Sequence, residues 1–110
     1  MAYKKLAQEY ERDDNGCVII KGGKHEFTDE KVRVYGKAVV TVRGSSTVFA
    51  YGSSKVYAYE YSTVFALGSS RVFAYGSSTT SAMDFSKVDA YGSSKVYFRD
   101  SAKIVEDNRP

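Results

Sequence analysis

From residue 36 onward the chain alternates two kinds of position within an eight-residue frame: GKAVVTVR, GSSTVFAY, GSSKVYAY, EYSTVFAL, GSSRVFAY, GSSTTSAM, DFSKVDAY, GSSKVYFR and DSAKIVED, preceded by a degenerate TDEKVRVY over 28–35. Position 5 of the frame holds Val32, Val40, Val48, Val56, Val64, Val72, Thr80, Val88, Val96 and Ile104. Position 7 holds Val34 and Val42, then Ala50, Ala58, Ala66, Ala74, Ala82 and Ala90, and ends with Phe98 and Glu106. Between them, positions 4, 6 and 8 mix Thr, Lys, Arg and aromatic residues. Alternation with period two is the signature of a strand with two unlike faces. The Val/Ala face almost never admits charge, so it points inward and the aromatics largely point outward. Position 1 is usually Gly followed by Ser-Ser, a corner where glycine accepts positive φ and serine hydroxyls bond the turn backbone.

The outward positions set the number of octads per coil, because residues one coil apart must stack. Thr47, Thr63 and Thr79 alternate with Lys55, Arg71 and Lys87 at position 4, and Tyr59, Tyr75 and Tyr91 alternate with Tyr51, Leu67 and Met83 at position 8. Both series repeat every two octads. The expected fold is therefore all-β, a two-sheet parallel β-solenoid (β-helix) with about 16 residues per coil, about five coils and roughly 24 Å in length. An intertwined trimer with one octad per chain per turn gives no reason for this alternation.

The organisation expected is an N-terminal cap over 1–27, a repeat body over 28–107 and a tail over 108–110. In the cap, residues 2–12 place Tyr3, Leu6, Ala7 and Tyr10 on one helical stripe. Asp13-Asp14-Asn15-Gly16 reads as a turn and Cys17-Val18-Ile19-Ile20 as a strand. A capped end keeps a solenoid from templating aggregation.

Blocks such as Ala50-Tyr51-Gly52-Ser53 with Val56 and Ala58, and Ala74-Tyr75-Gly76-Ser77, carry a resemblance. The repeat body resembles the tandem A-Y-G-S-x-x-V-x-A octapeptide-repeat proteins of bacteria and bacteriophages. The resemblance implies a scaffold more than an activity. With the small, cysteine-poor chain it also implies a phage-type inhibitor that occludes a host defence enzyme, as anti-CRISPR proteins do.

Composition narrows the chemistry. His25 is the sole histidine and Cys17 the sole cysteine, so neither an internal disulfide nor a metal cluster is expected. No nucleophile, base and orienter can be assembled, the serines fall at corners, and Gly22-Gly23-Lys24 lacks the frame of a phosphate loop. The expectation is a non-enzymatic protein without cofactors. A net charge of +3 is too small for a nucleic-acid signature by itself. Met1 to Tyr10 lack the apolar core of a secretory signal, and no run reaches membrane-spanning length, so a cytoplasmic location without membrane contact is expected.

The two outer faces differ. One sheet carries Thr47, Thr63 and Thr79 beside Phe49 and Phe65, with Tyr51, Leu67 and Met83 alongside; Phe49, Phe65, Leu67 and Met83 are the candidates for a homodimer contact. The other carries Lys55, Arg71, Lys87 and Lys103 beside Tyr57 and Phe73, with Tyr59, Tyr75 and Tyr91 alongside. Lys55, Tyr57, Tyr59, Arg71, Phe73, Tyr75, Lys87 and Tyr91 are the candidates for a protein partner, or for a nucleic acid or other polyanion. A structural part in a larger particle is the third expectation.

Overall fold

The computed structural model describes residues 10–110. Twelve short strands alternate between two six-stranded parallel sheets. Sheet A holds β1 (Val18–Ile20), β3 (Lys31–Val34), β5 (Thr47–Ala50), β7 (Thr63–Ala66), β9 (Thr79–Ala82) and β11 (Lys95–Phe98). Sheet B holds β2 (Lys24–Thr28), β4 (Val39–Arg43), β6 (Lys55–Ala58), β8 (Arg71–Ala74), β10 (Lys87–Tyr91) and β12 (Lys103–Asn108). Thr47 pairs with Thr63 and Thr63 with Thr79, while Lys55 pairs with Arg71 and Arg71 with Lys87. The sixteen-residue coil inferred from the outward positions is the observed register.

The stack is one coil longer than the repeat count suggested, making about six turns. The extra coil comes from β1 and β2, which, but for Thr28, lie within the segment expected to cap the solenoid. Their spacing to the next coil is shorter than sixteen: Val18 pairs with Val32 and Lys24 with Val39. Those shortened registers are why the octad frame fails to reveal them. The end is closed from outside by residues 10–12, where Arg12 makes an antiparallel bridge to Val18 and the Ile19 N–H donates to the Glu11 carbonyl. No helix occurs among the described residues. Tyr3, Leu6 and Ala7 of the expected helical stripe lie outside them.

Three inward layers, not two, make the core. Val at position 5 and Ala at position 7 are fully buried through the body of the stack. Ser46, Ser54, Ser62, Ser70, Ser78, Ser86 and Ser94 at position 3 are buried with them. A residue this small lets the chain turn the corner without opening the sheets. Its hydroxyl serves the turn where geometry allows: Ser46 Oγ donates to the Arg43 carbonyl at 2.9 Å and Ser86 Oγ to that of Met83 at 2.7 Å. The core row of position 5 has one irregularity, Thr80, which is fully buried with an Oγ1 that has no hydrogen-bond partner.

Corner position 1 needs left-handed backbone, which Gly supplies without strain. Gly76 shows the second constraint: a Cβ there would stand 2.9 Å from the Glu60 backbone nitrogen of the coil below. Where the corner is not glycine it is acidic, at Glu60, Asp84 and Asp100 with φ of 62°, 58° and 60°. These carboxylates reach back one coil. Glu60 Oε1 accepts the Gly44 N–H at 2.8 Å and Asp84 Oδ2 accepts the Gly68 N–H at 3.0 Å. Strain at the corner is thus offset by a charge-assisted hydrogen bond.

Candidate functional site: the two outer faces

Strand pleating sends positions 4, 6 and 8 outward, and the parallel register lines identical positions into ladders along the solenoid axis. On sheet B, Tyr57 stacks on Phe73 with ring centroids 4.7 Å apart, and Tyr59, Tyr75 and Tyr91 form a continuous stack at 4.8 Å per step. On sheet A, Phe49 stacks on Phe65 at 5.1 Å and Tyr35 on Tyr51 at 5.0 Å. Arginines close the N-terminal ends of two ladders: Arg33 lies over Phe49 at 4.9 Å and Arg43 over Tyr59 at 4.6 Å. Stacking leaves these rings half-buried, except Tyr35 at the end of its ladder, which is exposed. Burial and the neighbouring tyrosines raise the pKa of Tyr75 above its usual value.

The cations of sheet B form one in-register row, Lys55, Arg71, Lys87 and Lys103. Arg71 is committed: its Nε and Nη2 donate to both carboxylate oxygens of Asp89 at 2.9–3.1 Å. That explains the Asp that interrupts the aromatic row at position 6. Asp89 is buried, and Arg71 supplies the counter-charge that burial requires. Lys55, Lys87 and Lys103 make no ion pair with a described residue. Arg71, Lys87 and Lys103, with Ser69, Ser101 and the exposed ring of Phe85, line an open groove of about 550 Å³ at the corner leading into this sheet.

The structure therefore brings the sheet B candidates together on one face, with Arg71 less free than its neighbours. On sheet A, Phe49, Phe65, Leu67 and Met83 share a face but are half-buried in their ladders. The most exposed large apolar side chains lie elsewhere: Tyr61 and Phe85, which replace Ser at corner position 2, and Tyr97 and Phe98 in the last coil, at 73%, 68%, 61% and 56% exposure. Phe98 sits in an inward register position, yet it has no coil beyond it to cover its ring. His25 belongs to the N-terminal end, where its Nε2 bonds the Gly22 carbonyl at 2.9 Å and its Nδ1 bonds the Tyr10 hydroxyl at 3.1 Å. Cys17 is buried. Among the described residues no three His, Cys, Asp or Glu side chains are grouped to hold a metal ion, and no helix is long and apolar enough to cross a membrane.

No protein-family model, curated protein or solved structure matches this chain.

Proposed function

We propose that this chain is a non-enzymatic interaction module, a rigid solenoid that presents its outer faces to a protein partner. The observation that carries the reading is the in-register cation row of sheet B, in which Lys55, Lys87 and Lys103 make no ion pair with a described residue, beside a continuous tyrosine stack. Like charges directly opposite one another destabilise a sheet. This row repeats them over four coils with one acidic partner, Asp89 on Arg71, which supports holding the three lysines for something outside the fold. Acidic protein surfaces with apolar margins are the natural complement, since rings supply contact area at low entropic cost and cations supply steering. Occlusion of a host defence enzyme by a phage protein is one setting that fits a small, rigid, cysteine-poor chain.

A polyanion is the second reading, favoured by the same cations and rings. Burial of Asp89 within the face and its hold on Arg71 weigh against a uniform phosphate track. Affinity capture from nuclease-treated extract of the producing cell tests the choice. The wild-type chain is expected to retain a discrete protein that a Lys55→Glu/Lys87→Glu double variant releases. Retention of that protein by both baits overturns the assignment of the face. Loss of all binding after nuclease treatment, with a steep salt dependence for single-stranded DNA, moves the function to nucleic acid.

A further inference from the structure

Position 6 of sheet A reads Arg33, Phe49, Phe65, Ser81 and Tyr97 from coil to coil, each in register with the next. One rung is missing. Ser81 stands where the ladder needs a ring, so Phe65 and Tyr97 flank a gap two coil steps wide, about 9.6 Å. That is twice the 4.7–5.1 Å at which the rings of this protein stack. A single planar ring placed over Ser81 would meet one aromatic face on each side at the ladder's own spacing. The gap is a notch of about 200 Å³ floored by Ser81, with Met83 and Arg99 on its flank. Tyr97 has no ring beside it at Ser81 and, on the edge strand β11, no strand beyond it, and it is 61% exposed. Arg99 is exposed and makes no ion pair with a described residue.

The strand beneath the notch departs from the pattern as a whole. β9 reads Thr-Thr-Ser-Ala, where the strands on either side read Thr-Val-Phe-Ala and Lys-Val-Tyr-Phe. It gives up the ring at position 6 and puts a hydroxyl into the valine row at Thr80, unpartnered like the corner hydroxyls of Ser54, Ser62, Ser70, Ser78 and Ser94. Local rules broken without a compensating contact inside the fold mark a site used for something else.

We propose that the notch over Ser81 receives one aromatic side chain of a protein partner, carried next to an acidic residue whose carboxylate meets Arg99. The proposal rests on the interaction-module reading and supplies the chemistry of its partner. The ring completes the Phe49–Phe65 ladder and couples it to Tyr97. Charge selects the flank: among the described residues Arg99 is the only cation lining the notch, and none that line it is acidic. A buried aromatic anchor with a charged contact at its rim is the usual form of an interface hot spot.

The test uses the isotope-labelled full chain and the capped dipeptide acetyl-Phe-Glu-amide, followed by NMR chemical-shift changes. Saturable millimolar binding is expected, with shifts centred on β9 and β11 and ring-current shifts on the dipeptide's phenyl protons. Acetyl-Ala-Glu-amide is expected to bind at least tenfold more weakly, and Arg99→Ala to weaken the Phe-Glu dipeptide several-fold. Ser81→Phe fills the notch from within and is expected to abolish binding while raising the melting temperature. Ser81→Leu blocks it without stacking and gives the same loss should the Phe variant fold poorly. Equal binding of the Ala and Phe dipeptides, or full binding by both Ser81 variants, overturns the proposal. Tighter binding of adenosine monophosphate than of the dipeptide also overturns it, by making the notch a nucleobase site. In the capture experiment, a partner kept by Ser81→Phe but lost from Lys55→Glu/Lys87→Glu leaves the module reading intact and removes the notch from it.

Discussion

Replacing Thr80 by Val should stabilise this protein, although the change touches no surface. Thr80 is 0% exposed, occupies the centre of β9 in the inward row of Val48, Val64 and Val96, and its Oγ1 has no partner. A buried polar group left without a hydrogen bond costs about 1–3 kcal/mol. Valine has nearly the same shape, so the exchange removes that cost and adds no cavity. With an unfolding entropy of roughly 2.1 cal/mol/K per residue, a chain of 110 residues moves its Tm by about 4 °C per kcal/mol. The expected rise is about 4–12 °C, read by circular dichroism melts together with the urea midpoint at unchanged m. Thr80→Ala serves as the control: it deletes the hydroxyl but opens a void, so its gain is reduced or reversed. A Val variant with an unchanged or lower Tm would refute the reasoning, because it would mean that Thr80 finds a hydrogen bond in solution or that β9 needs the hydroxyl for packing.

Other consequences follow from the corners, the ion pair and the rings. Gly76→Ala forces a Cβ to 2.9 Å from the Glu60 nitrogen in left-handed backbone and should cost more than the 1–2 kcal/mol or so of that conformation alone. Gly68→Asp should be better tolerated than Gly68→Ala, because its carboxylate can take the Gly52 N–H as Asp84 takes that of Gly68; urea midpoints of the two variants decide the order. Arg71→Ala strands the buried carboxylate of Asp89 and should cost about 1.5–3 kcal/mol. Asp89→Ala leaves a partly exposed guanidinium that water can solvate, so it should cost less, and equal losses in chemical denaturation would contradict this. Because the pKa of Tyr75 is raised in the fold, the folded state holds that proton more tightly than the unfolded one. Its stabilising contribution is complete below the ordinary value of 10.0 and is lost as pH rises through the raised value. Ultraviolet titration at the tyrosinate band should show a late-ionising group that Tyr75→Phe removes. Asp107, drawn down to about 2 by the side-chain and backbone hydrogen bonds of Arg109, should release that C-terminal contact only as pH falls through about 2, visible as an Arg109 Nε shift by NMR.

Period-two alternation and the sixteen-residue recurrence of Thr47, Thr63 and Thr79 made the solenoid, its coil length and the division of the faces legible before any coordinates. Of the first coil only β1 was legible, as the strand read over Cys17-Val18-Ile19-Ile20, and its place in the stack was not. Its pairings of Val18 with Val32 and Lys24 with Val39 fall out of the octad frame, and no periodic signal survives a change of step. The burial of Ser at position 3 was also hidden, since a serine after glycine reads as a solvated turn whichever way its side chain points. Asp89 stood in the sequence as a break in an aromatic row, but its bond to Arg71 depends on which residues the coil juxtaposes. The notch had a signal of its own: GSSTTSAM lacks both the Val and the ring of its neighbours. Irregularity there reads as decay of the repeat until the register shows an intact rung on each side of Ser81.

The most direct test of the interaction-module account is hydroxyl-radical footprinting of the chain alone and in complex with its captured partner. The rings of Tyr59, Tyr75 and Tyr91 on sheet B and of Tyr97 beside the notch are predicted to lose reactivity in the complex. Tyr35, near the N-terminal end of sheet A, should keep its reactivity. Protection confined to the N-terminal coil, or an unchanged pattern on both faces, would contradict the claim that the outer ladders are the working surface of this protein.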